Sequence, residues 1–208
     1  MKPPRRREQN QPPLSQPQLE LSNHPASVGI DPSLTGTGLV VMNQFGGVIH
    51  KSVVVSKPTA KDVNSRIARI DELVCSVMAV IAAYSPSIVL VEGYSFMSKT
   101  PATDRIEYGG LLRWSIIRAG YRLYEVAPTT LKKWATGSGA GDKTGVVAEL
   151  TKRYGVTFKT SDEYDAYALS RMGIQIGGWE QPATKQQAEA IKTVTTPKPE
   201  KGKKNANS

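Results

Sequence analysis

Asp162 and Asp165, in the stretch SDEYDAYALS, stand three residues apart and share one face if that stretch is helical. Like charges on one face repel unless protons or a cation sit between them. Two more acids mark the points where apolar runs stop, Asp31 after SVGI and Glu92 after SIVLV. Four carboxylates in one pocket would call for hard divalent cations, and two such ions can activate a water and stabilise the leaving oxygen during in-line attack on a phosphodiester. Plainer readings stand beside this one. Acids commonly close strands and open turns, and Thr160 with Glu163 three residues on has the spacing of a helix capping box. Glu163 points away from the aspartate pair, so capping does not use up the two aspartates.

The elements that would bring these acids together follow from periodicity. SVGID, GLVVMN and VIHKSVVV are short apolar runs separated by PSLTGT and QFGG, which reads as three successive antiparallel strands. DVNSRIARIDELVCSVMAVIAAY repeats apolar residues at Ile67, Ile70, Val74, Val77, Met78 and Ile81, a helical period that Ser85-Pro86 ends. SIVLVE suits a strand buried on both faces. A polar loop, a helix through RIEYGGLLRWSIIRA, a strand YRLYEVA and further helices complete the core. The expected fold is α/β: a mixed five-stranded sheet, three antiparallel strands then parallel ones, with helices on both faces. If the first and fourth strands lie side by side in parallel, Asp31 and Glu92 emerge at one carboxyl edge, where open sheets of this kind build their sites.

Composition narrows the chemistry. The 208 residues carry 27 Lys and Arg against 18 acids, a net +9 that favours an anionic partner such as nucleic acid. Cys75 is the only cysteine and lies in the apolar helical pattern, so it is expected in the core, and no intrachain disulfide or thiolate-rich zinc site can form. With only His24 and His50, a histidine triad or multi-histidine metal site also lacks parts. No run of about eighteen apolar residues exists and no secretory-type stretch opens the chain, so a cytoplasmic, non-membrane protein is expected. Residues 1–26 are rich in Pro and Gln and read as a disordered basic tail; 27–178 form one domain; 179–208 read as a flexible Lys-rich tail with a short helix near its start.

Across residues 27 to 176 the sequence resembles the RuvC-type Holliday junction resolvases of the ribonuclease-H-like, retroviral-integrase superfamily. The resemblance is carried by GIDPSLTGTGL, VLVEGYSFMSK, APTTLKKWATGSGAGDK and SDEYDAYALS, in the family's order and approximate spacing. It implies that Asp31, Glu92, Asp162 and Asp165 are the metal-binding catalytic acids, with two Mg2+ ions per site and Mn2+ as a substitute. It also implies that Phe96, or Tyr94 in its stead, stacks on bases at the junction centre. Lys132 or Lys133 and Lys143 fall where the family contacts DNA near the scissile phosphate, and Lys143 is placed to steady developing charge. Lys99 and Arg105 flank the aromatic loop as weaker phosphate contacts, and for Lys133 a solvated surface role is the better reading. The implied partners are branched DNA and a second copy of the chain; a branch-migration motor is left open.

Two rival readings fare worse. GSGAGDKTG has the look of a phosphate loop, but Asp142 separates Gly141 from Lys143 and a short helix, not a strand, precedes it. GIDPSLTGTGL also resembles the first phosphate hairpin of actin-like and sugar kinases, which need two such domains and a longer chain. A superfamily nuclease acting on flaps, forks or RNA–DNA hybrids uses the same metal chemistry and stays open, as does a DNA-binding relative without activity.

Overall fold

The computed structural model describes residues 24–57, 62–94 and 103–196. Phe96 and Lys99, both expected on the aromatic loop, lie outside the described residues, as do residues 1–23 and 197–208.

Strands β1 (Pro25–Asp31), β2 (Thr37–Asn43) and β3 (Val48–Val54) form two successive antiparallel hairpins. The β2–β3 turn is tight because Asn43 Oδ1 accepts from Phe45 N at 3.0 Å and Gly47 N at 2.8 Å, with Gly46 at a φ of 76° between them. Helix α1 (Val63–Tyr84), capped by Asp62 accepting from Ser65 N, crosses to β4 (Ile88–Glu92). Helix α2 (Thr103–Arg118) crosses to β5 (Leu123–Val126). The sheet order is β3-β2-β1-β4-β5, with β1–β4 and β4–β5 parallel, as the sequence pattern predicts. Helices α3 (Pro128–Thr136), α4 (Lys143–Tyr154), α5 (Ser161–Ile176) and α6 (Lys185–Thr195) follow.

The two-residue period of the strands sorts the core into two halves. Val28, Ile30, Leu39, Val41, Val89 and Val91 pack under α1 and α2. Val40, Met42, Ile88, Leu90 and Val126 face the layer of α3, α4, α5 and α6. Helix α5 lies so close to the sheet that its backbone replaces side chains: a Cβ on Gly29 would sit 2.1 Å from Ala166 O, and one on Gly38 2.4 Å from Asp162 O. Ser27 Oγ donates to Ser170 O at 2.6 Å and fixes the helix along β1.

Three expectations change. Cys75 is exposed, not in the core, because the buried stripe of α1 runs through Ile70, Leu73, Val74, Val77 and Ile81, and one residue beyond Val74 turns the side chain about 100° away. Strand β1 begins at Pro25, before the expected domain boundary at Ser27, and buries Ala26 completely. At the other end the folded part runs beyond 178: α6, the expected short helix, docks on the domain and buries Gln187 and Ala190, while the rest of the expected tail, 197–208, lies outside the described residues. The residue α6 buries most deeply, Gln187, is polar, so a lysine-rich, polar composition concealed its docking.

Candidate active site

Strand register assembles the first half of the site. Ile30 pairs with Val91 in the parallel β1–β4 ladder, so Asp31 and Glu92 come next to each other at the carboxyl edge. Period two places both on the face that α5 covers, in line with Gly29 and Leu90. Their side chains are close enough for each to shift the other's proton affinity, and burial of the pair favours the protonated form.

Helix α5 supplies the second half. Thr160 Oγ1 accepts from Glu163 N at 3.2 Å, and Glu163 Oε2 accepts from Thr160 N and Lys159 N, each at 2.9 Å. This capping box buries Glu163 to 6% exposure, and Asp162 and Asp165 line the cleft instead. All four acids border one cleft of about 420 Å³.

The electrostatics are those of an overcrowded anion site. Burial raises Glu92 to about 9, with the neighbouring charge of Asp31 adding to it and Lys143 opposing. Burial likewise raises Asp165 to about 7, reinforced by Asp31 and Asp162 and opposed by Lys143 and Lys132. Asp31 is also raised, first by burial, with the hydrogen bond from Glu92 working against it. Among the described residues no three acids already form a finished cation cage. The donor set nevertheless fits a hard divalent cation: all carboxylate oxygen, largely buried, and held together against mutual repulsion that a cation would relieve.

Basic residues rim the cleft. Lys143, the first residue of α4, places Nζ 4.0 Å from Asp162 Oδ1 and 3.5 Å from Ser161 Oγ. Lys132 on α3 and the exposed Arg105 on α2 also border it. Lys133, one position further round α3, is drawn to α6, with Nζ 2.7 Å from Glu189 Oε2. Tyr94 lines the cleft, with its hydroxyl donating to Ile106 O at 3.2 Å and its ring on the Arg113 guanidinium at 4.5 Å.

Two supports of the site were not foreseen. Arg113 donates to Glu92 O at 2.7 Å, Gly109 O at 2.8 Å and Glu125 Oε2 at 2.6 Å, tying the acid-bearing end of β4 to α2 and β5. The buried Tyr108 hydroxyl bonds Thr37 Oγ1 at 2.8 Å, and that hydroxyl donates to Ser33 O at 2.8 Å, bracing the turn that follows Asp31. The only signal for either was a polar group inside an amphipathic helix, which sequence does not distinguish from a solvated one.

The sheet order and the acids at its edge define a ribonuclease-H-like α/β domain with a carboxylate cleft. Residues 27–171 match the family model described as crossover junction endodeoxyribonuclease RuvC, and the chain belongs to that family, whose members are metal-dependent nucleases. The chain is 30% identical over 149 residues to the crossover junction endodeoxyribonuclease RuvC of Rhodococcus jostii, a match spanning 69% of this chain and 77% of that one. Among solved structures it is similar in fold to Thermus thermophilus RuvC, with a TM-score of 0.60, 22% identity, and coverage of 73% of this chain and 95% of that one. It is likewise similar to T. thermophilus RuvC in complex with Holliday junction substrate, with a TM-score of 0.58, 23% identity, and coverage of 71% and 91%.

Proposed function

We propose that this protein is an endodeoxyribonuclease that resolves four-way DNA junctions by paired hydrolytic cuts, leaving 5′-phosphate and 3′-hydroxyl ends. The observation that carries the reading is the meeting of Asp31, Glu92, Asp162 and Asp165 on one basic-rimmed cleft in a chain of this family. T. thermophilus RuvC, similar in fold, has been solved in complex with Holliday junction substrate, which supports the substrate class.

Asp31, Glu92, Asp162 and Asp165 would hold the metal, for which two Mg2+ ions are the reading, with Mn2+ as substitute. Bound there, the ions would supply charge to activate a water and to stabilise the departing 3′-oxygen. Lys143 offers a cation to a phosphate oxygen at the edge of the acid set, and Lys132 and Arg105 bind flanking phosphates without reading bases. Arg113 holds the Glu92 main chain so that its carboxylate keeps its place beside Asp31. Tyr94 forms part of the wall on which an unpaired base would rest.

Symmetric cutting needs two sites, and each chain brings one such cleft among the described residues. Helix α2 exposes Ile106, Trp114 and Ile117 at 53%, 60% and 62%, an apolar face suited to a second copy of the chain.

The test is a purified-protein assay on an immobile four-way junction, a three-way fork, a linear duplex and an RNA–DNA hybrid in magnesium. Paired, ligatable nicks in the four-way junction alone are expected. Asp165→Asn should bind the junction normally and lose cutting by about 10²-fold or more, the scale of an electrostatic catalytic group. Equal cutting of forks or hybrids would favour the wider nuclease reading, and binding without any cutting would leave a silent relative.

A further inference from the structure

Helix α6 lies outside the 27–171 region matched by the family model, yet one of its side chains is among the most buried polar groups described. Gln187 is 0% exposed. Its Oε1 accepts from Ala183 N at 2.8 Å and from Gln175 Nε2 at 3.3 Å, while its Nε2 donates to the Tyr154 hydroxyl at 3.2 Å. Gln175 in turn accepts from Trp134 Nε1 at 2.8 Å and donates to Glu180 Oε1 at 3.1 Å. Trp134 and Tyr154 stack with ring centroids 6.2 Å apart.

The owners of these side chains matter more than the bonds themselves. Trp134 lies near the end of α3, Tyr154 is the last residue of α4, and Gln175 is the penultimate residue of α5. Those three helices carry Lys132, Lys143 and the Asp162–Asp165 pair. Lys143 opens α4 and the aspartates open α5, so these two helices reach the cleft with one end and the Gln187 network with the other.

We propose that Gln187 is a positioning residue that sets the mutual orientation of α3, α4 and α5, and so the placement of Lys132, Lys143 and the two aspartates in the cleft. Apolar packing alone tolerates small slips between helices, whereas a buried network with every polar group satisfied specifies one arrangement. An apolar residue at 187 would take this partner from the Ala183 amide and the Tyr154 hydroxyl at once, and would leave the Gln175 amide with only Trp134 and Glu180. Along α5, Gln175 is about 15 Å from Asp165, so a tilt of about 4° moves the carboxylate by about 1 Å. A displacement of about 1 Å can cost about 10²-fold in rate.

The rate readout rests on the junction-cutting reading, so the experiment pairs it with one that does not. Gln187→Met, Tyr154→Phe and the double variant are compared in the full chain, at a temperature where circular dichroism shows all of them folded. Single-turnover cutting at saturating junction and amide hydrogen exchange are measured. Gln187→Met should lower the cutting rate by about 10-fold or more with junction affinity within about twofold, and the double variant should be no slower than Gln187→Met. Exchange should quicken across α3 and α4 while β1 and β4 keep their protection. A Gln187→Met protein with unchanged rate and exchange overturns the proposal, as does a double variant whose losses simply add. Should Gln187→Met not fold, Tyr154→Phe, which removes a single hydroxyl, decides by the same two measurements. If the unaltered protein leaves junctions uncut, the functional reading falls, and the exchange pattern still decides the role of Gln187.

Discussion

Glu92 and Asp165 keep their protons to higher pH than free carboxylates do, and Asp31 is shifted in the same direction, which sets a pH dependence of opposite sign to that of an ion-paired acid. Burial and the charge of Asp31 raise Glu92 from 4.5 to about 9, and burial raises Asp165 from 3.8 to about 7. Across that window the folded chain binds protons the unfolded chain has released, so stability is lost as pH rises from about 4.5 to about 9. The melting temperature of the metal-free protein should therefore fall steadily over this range. Magnesium should restore it at the alkaline end, because the cation replaces the protons. Glu92→Gln removes the group that must stay neutral; it should raise the melting temperature at about pH 9 and flatten the profile while eliminating cutting. A metal-free melting profile independent of pH, in both proteins, would show that these acids are not packed together. Spacing and strand ends made the four acids legible in the sequence. It could not show which acids neighbour each other, since the meeting of Asp31 and Glu92 depends on strand register across residues sixty-one positions apart.

At the scale of elements, the sheet was readable because each strand is a short apolar run with its own turn chemistry, and α5 because capping box and apolar stripe agree. The closeness of α5 to β1 and β2 was not readable. GIDPSLTGTGL contains three glycines, Gly29, Gly36 and Gly38, and only coordinates reveal that Gly29 and Gly38 make room for a helix backbone and do not merely serve a turn. The consequence is testable at Gly38, where an added methyl would stand 2.4 Å from Asp162 O. Gly38→Ala must push the first turn of α5 off the sheet, at a cost of about 1–3 kcal/mol. A lower melting temperature is expected together with a loss of cutting that persists well below the melt, since Asp162 is displaced. A variant that melts early but cuts at the normal rate when folded would mean the turn relaxes elsewhere. The docking of α6 was hidden for a related reason: its anchor is an amide, and polarity patterns assign amides to solvent.

The whole molecule carries +9, and the segment beyond Thr196 holds four lysines against one glutamate. Junction affinity should fall steeply with salt, and a chain ending at Thr196 should show a log–log slope shallower by up to about 0.9 for each lysine that contacted a phosphate. Its cutting rate on bound junction should not change, because α6 and the cleft remain whole; an unaltered slope would remove the segment from the DNA contacts. Assembly is the remaining demand of symmetric cutting. Ile106, Trp114 and Ile117 face outward from α2, whose inner side, through Tyr108, Leu112 and Ile116, is fully buried against the sheet. If a second copy docks on this face, its burial would offset the cost of exposing it. Trp114→Asp places a charge at its centre without touching the cleft. Sedimentation equilibrium should then find monomers where the parent chain gives dimers, and the variant should nick one strand of a junction without pairing the second cut. If the parent chain is monomeric with junction bound, or Trp114→Asp still makes coupled cuts, the two sites are brought together by some other face.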